Sequence, residues 1–143
     1  MSWRQASDCM RQALRSAVVP VLRKRGFRGS FPNLHRTRSS HIDLLTFQFS
    51  QYGPNLYIEI ASVPAADAER ANLAPSRLRR GHAGFYFRRI GPMPSVDFEG
   101  VTEPDGAASQ IAAVLRAISI EGETWWLSPS PVVVLPNPSL ERP

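Results

Sequence analysis

Lysine is almost missing from this chain: of its 17 basic residues only Lys24 is a lysine, and the rest are arginine. Cysteine occurs once, as Cys9, so no intramolecular disulfide can form. Cys9 falls in a helical pattern and reads as a small, partly buried apolar residue rather than a reactive thiol. No apolar run approaches the ~18 residues of a membrane span. The opening MSWRQASD lacks the apolar core of a secretory signal, so the expected compartment is the cytosol. Phosphate-loop, dinucleotide and nucleophile-elbow patterns are all absent. His35, His41 and His82 are isolated, with no ligand spacing around them, so neither a metal nor a cofactor is expected. His35 and His41 flank a predicted turn and read as a surface pair. The carboxylate pairs Asp97/Glu99, Glu103/Asp105 and Glu121/Glu123 lie at loops or helix ends, where solvated charge or dipole complement explains them. No catalytic residue is assigned, and an enzyme is the least favoured reading.

What is present begins with an uneven charge. Residues 1–42 carry nine Arg or Lys against Asp8 alone, a balance of +8; residues 43–143 carry eight against eleven Asp or Glu, a balance of −3, which together give the net +5. A basic end attracts phosphate or an acidic partner, although an arginine excess is also what a GC-rich genome produces. The 143 residues suit one domain. The α+β domain is expected over residues 1–127, with 128–143 as a proline-rich, extended tail in which Val132–Leu135 is a possible edge strand.

Ala6, Met10, Ala13, Leu14, Ala17, Val18, Val21 and Leu22 recur at three- and four-residue spacing and predict a helix over 6–25. Pro20 should kink or split it near Val19, and Gly26 should stop it. Period-two segments follow. Strands are expected over 31–36, weakened by Pro32, and over 42–50, 56–63 and 82–90. A second helix is expected from a Thr102 cap to a stop at Gly122. The fold class that follows is α+β: an antiparallel meander of about four strands with two main helices on one face.

The segments Leu22-Arg23-Lys24-Arg25-Gly26-Phe27, Leu34-His35-Arg36, Phe47-Gln48-Phe49-Ser50-Gln51-Tyr52-Gly53 and Leu56-Tyr57-Ile58 carry a further pattern. It comprises a helix ending in Gly-Phe, an aromatic-x-x-x-Arg strand, a strand ending in Gln-x-Ser, and a strand opening on an aromatic or leucine. Over residues 10–90 this resembles the DUF4304 family, small and mostly bacterial proteins of unknown function. Glu59 stands where that pattern has an Asn-like residue, and the proline-rich tail looks like an addition. The resemblance implies an α+β fold and transfers no catalytic residue.

Two binding surfaces are expected. Gln48, Ser50, Tyr57, Glu59, Tyr86 and Arg88 would line the open sheet face, a polar and aromatic mixture suited to protein recognition. Arg36, Arg38, Arg79 and Arg80 are candidate anion binders, and aromatics between arginines would suit RNA or DNA. The favoured reading is a non-catalytic protein-binding module, adaptor or immunity-type by analogy with other small bacterial domains, whose partner is acidic. Weak nucleic-acid binding is the alternative. No membrane partner is expected, and the sequence is silent on oligomeric state.

Overall fold

The first helix is present, and Pro20 divides it as expected, in a computed structural model that describes residues 3–132. Helix α1 (Trp3–Ala13) runs into a π-helical turn, Leu14–Val18, and then into α2 (Val19–Lys24), with Pro20 in its first turn. Proline has no N–H and crowds the carbonyl four residues back. The wider turn relieves that clash, and Val19 N–H reaches back to Leu14 O. Gly26 ends α2 at φ +97°, a conformation that favours glycine. Gly26 N–H donates to Arg23 O, and Phe27 N–H to Leu22 O. That is the paired closure of a Schellman motif, with Phe27 and Leu22 both fully buried beside it.

Six antiparallel strands follow among the described residues, where four were expected, in the order β1-β2-β3-β4-β5, with β6 pairing β4. The segment around Pro32 accounts for one extra strand. Phe31-Pro32 is the turn of a hairpin between β1 (Arg28–Ser30) and β2 (Asn33–Thr37), so proline sits outside the ladder that it cannot support. Strands β3 (His41–Phe49) and β4 (Asn55–Pro64) pair along their whole length. The expected strand over 82–90 is shorter. Arg80–Ala83 forms a 3-10 turn, Gly84 turns with φ +60°, and only β5 (Phe87–Ile90) joins β4. Strand β6 (Val96–Asp97) extends the same edge.

The carboxy-terminal helix also departs from expectation. A 3-10 turn, Pro104–Ala107, leads into α4 (Ala108–Ala117), and its N-cap residue is Glu103, not Thr102. Gly122 does not stop the helix. It lies in a π-helical turn, Ile118–Gly122, that continues into α5 (Glu123–Leu127). Its role is close packing, since a Cβ there would stand 3.2 Å from the Trp126 ring.

Leu45, Phe47, Leu56, Ile58 and Ile60 meet Met10, Leu14, Val18, Leu22, Val114, Ile118 and Trp126 in the main core. The helices therefore cover one sheet face, as the alternation predicts. The other face is not open along its length. Ile42, Leu44, Ala61 and Val63 pack beneath Ala68 of α3 (Ala65–Ala71), Leu78 and Ala83. Leu44, in phase with the polar Thr46 and Gln48, is buried there because α3 and the turns after it fold back over that half. The second half, toward the β3–β4 turn, is left uncovered by them. No helix among the described residues is long and apolar enough to cross a membrane. Residues 133–143, including most of the possible edge strand Val132–Leu135, lie outside the described residues. Val132 N–H itself donates to Phe85 O at 2.6 Å.

One strand residue carries a pH signature. Burial, and then the charges of Arg23 and Arg28, hold the His35 imidazole below its ordinary value of 6.5. The folded chain thus takes up this proton less readily than the unfolded chain. Stability is full above about pH 6.5 and falls as the pH drops below it. Urea midpoints measured from about pH 7.5 down to about pH 5 should fall less steeply for His35→Gln than for the parent. Equal slopes would show that His35 does not carry the effect.

Candidate binding groove

The uncovered half of the sheet face forms a groove of about 720 Å³. Its floor is built by strand alternation. Thr46 and Gln48 of β3, Glu59 of β4, and Phe87 and Arg89 of β5 project to the same side, because Thr46 pairs with Glu59 and Glu59 with Arg89. Pro32 and Asn33 form one wall, where β2 stops short of the end of β3. Arg79, Arg80 and Gly81, on the 3-10 segment, form the other. Arg11 of α1 reaches over the sheet edge beside Phe47 and Phe49.

Each of the four arginines is held in place. The Arg11 guanidinium lies 3.9 Å from the centroid of Phe49, Arg80 lies 4.4 Å from Phe87, and Arg89 lies 4.1 Å from Tyr57. Arg80 Nε also stands 3.2 Å from Glu59 Oε1. Arg79 donates from one terminal nitrogen to the carbonyls of Ser76 and Leu78, at 2.9 and 2.8 Å. Among the described residues Glu59 is the one carboxylate in the lining, so four guanidiniums against it leave the groove at +3.

Gln48 and Glu59 therefore share a site with Arg79 and Arg80, residues drawn from both expected surfaces. Tyr57 faces Gln48 across the strand pair and supports Arg89. The remaining candidates fall elsewhere. Ser50 lies just beyond β3, and its hydroxyl accepts Tyr52 N–H within the turn. Tyr86 precedes β5, and its carbonyl accepts Ser62 N–H. Arg88 pairs with Ile60 and so projects to the helix side of the sheet. The expected alternation put Tyr86 and Arg88 on the open face; the β4–β5 register gives that face to Phe87 and Arg89 instead.

Arg36 and Arg38 are not free to bind an anion, because both are committed to carboxylates of the chain. Asp43, fully buried, accepts from Arg36 Nε and Arg38 Nε at 2.8 Å each. Glu123 of α5 takes the Arg36 fork at 3.0 and 2.8 Å. Burial alone would lower the Arg36 pKa; the hydrogen bonds to Glu123 and Asp43 outweigh it and hold the group above its ordinary value. A raised value keeps Arg36 itself charged across the neutral range. Arg36 also lies over Phe27 and Trp126. His41, the expected surface partner of His35, instead places Nε2 3.1 Å from Trp126 O and 3.5 Å from Asp43 Oδ1. These contacts clamp α5 to the β2–β3 hairpin, which makes the cluster structural.

No group of three or more His, Cys, Asp or Glu among the described residues could hold a metal ion. The groove offers hydrogen-bond donors and positive charge, and its lining holds no nucleophile paired with a base. A family model described as a domain of unknown function, DUF4304, matches residues 18–128. The chain belongs to this family. No curated protein and no solved structure matches it. The DUF4304 match spans α2, the whole sheet and α5, and so includes both the groove floor and the clamp. It begins after Arg11, which leaves that arginine outside the matched residues.

Sequence reasoning missed Asn33, Thr46 and Phe87 in the groove, and Asp43 and Glu123 in the clamp. Phe87 was recoverable from its place two residues before Arg89, which pairs with Glu59, once a β4–β5 register was fixed. Asp43 gave a fainter signal, a lone acid on the apolar side of the strongest strand, in phase with Leu45 and Phe47.

Proposed function

We propose that this DUF4304 domain is a non-catalytic protein-binding module, adaptor or immunity-type, that takes an acidic segment of a cytosolic partner into the groove. The +3 lining, borne by arginines already held on aromatic rings or loop carbonyls, is the observation that carries this reading. Fixed side chains lose little entropy on binding, and a positive groove attracts acidic partners over a distance. Asn33, Thr46 and Gln48 add amide and hydroxyl groups that suit a peptide backbone. Single-strand nucleic acid is less well served. It needs free aromatic faces for stacking, and Phe49, Phe87 and Tyr57 each already carry a guanidinium.

The test is capture of partners from the native lysate after nuclease treatment, followed by titration of the purified partner. Arg89 is exposed and its side chain leaves the core untouched, so Arg89→Glu reverses one groove charge without unfolding the domain. Affinity should fall at least about tenfold. Capture that disappears with nuclease would favour the nucleic-acid alternative, and an unchanged affinity would move the interface away from the groove.

A further inference from the structure

We propose that the groove is a receptor for a phosphate monoester carried on a protein segment, the phosphorylated form of the acidic partner on whose recognition this proposal rests. Three observations favour a dianion over an ordinary carboxylate. The first is charge: with Glu59 already counted, the lining holds +3. One Asp or Glu side chain would leave most of that self-repulsion in place, whereas a phosphate monoester brings about −1.5 to −2.

The second observation is donor supply. A carboxylate is satisfied by one guanidinium fork, but a phosphate presents three terminal oxygens. Arg80 spends its Nε on Glu59 and keeps both terminal nitrogens. Arg79 spends one terminal nitrogen on Ser76 and Leu78 and keeps the other. Arg11 and Arg89 are held by ring stacking, which uses none of their N–H donors. The ring contact holds each guanidinium in place before the ligand arrives, and a guanidinium offers a bidentate fork that lysine cannot supply.

The third observation is size. A cavity of about 720 Å³ exceeds what a single phosphate fills, and its remaining lining includes the polar Asn33, Thr46 and Gln48. The anion therefore arrives on a larger body, with hydrogen-bonding groups near its charge. A phosphorylated peptide has such groups in its backbone. A nucleic-acid strand offers singly charged diesters and needs the aromatic faces that the arginines cover.

The experiment uses the full chain and three immobilised peptide libraries with the same degenerate flanks, whose central residue is phosphoserine, glutamate or serine. The phosphoserine library should retain the protein at least about tenfold better than the glutamate library. Inorganic phosphate should compete, and Arg89→Lys, which keeps the charge but loses the stacked fork, should lower retention on the phosphoserine library more than on the glutamate library. Equal retention on phosphoserine and glutamate would overturn the phosphate proposal and leave the acidic-partner reading standing. Retention on none of the libraries, or preference for a single-stranded RNA competitor, would overturn both.

Discussion

Asp43→Ala is expected to lower the stability of the domain by about 3–5 kcal/mol, the usual result of removing one partner from a buried ion cluster. Asp43 has no exposed surface and accepts from Arg36 and Arg38 at once. Without it, Arg36, whose side chain is only 13% exposed, keeps Glu123 as its one carboxylate partner, and Arg38 keeps only a distant contact at 3.8 Å. Burying charge without compensation is what makes the change large. With a urea dependence of about 1–3 kcal/mol per molar, the midpoint should fall by more than about 1 M. A loss below about 1 kcal/mol would mean that water solvates the cluster and that the clamp contributes no more than a surface pair.

The second large effect is expected at Trp126. Its side chain is wholly buried, its ring centroid lies 5.4 Å from that of Phe27, and its indole N–H donates to Ala61 O at 3.1 Å. Trp126→Ala removes a large buried aromatic together with its hydrogen bond to the Ala61 carbonyl, for an expected loss of about 3–5 kcal/mol. Trp126→Phe restores part of the packing but not the donor, so its loss should be intermediate. A phenylalanine variant as unstable as the alanine one would assign the effect to the hydrogen bond rather than to packing. Arg36 stacks on Trp126 and also binds Asp43, so the double variant should deviate from additivity.

The sequence made the fold legible wherever periodicity spoke for itself. The apolar stripe of α1 and α2, the Gly26 stop, and the strands β3 and β4 follow from local pattern. Errors arose where tertiary packing overrode a local signal. Gly122 looks like a terminator, yet it is required for the approach of Trp126. His82–Tyr86 alternates like a strand, but Gly84 and the 3-10 turn withdraw it from the ladder. The binding candidates were partly legible for the same reason. Gln48 and Glu59 lie in regular strands whose facing can be counted, whereas the convergence of Arg11, Arg79 and Arg89 depends on how three separate segments fold together. Nor could composition tell Arg36 apart from a free cation, because the carboxylate that takes its fork, Glu123, is 87 residues away in sequence.

That long separation sets a condition on synthesis. A ribosome makes this chain from its amino terminus, and the β2–β3 hairpin emerges well before the helix that completes its ion cluster. Until residues 123–126 are released, the nascent chain has the arginines and Asp43 of the clamp but neither Glu123 nor the Trp126 ring. The sheet can pair in that interval, yet the surface destined for α5 stays wet and unsealed. Final closure is thus a late, carboxy-terminal event, and any message ending before Trp126 would yield a chain whose sheet lacks its fastening.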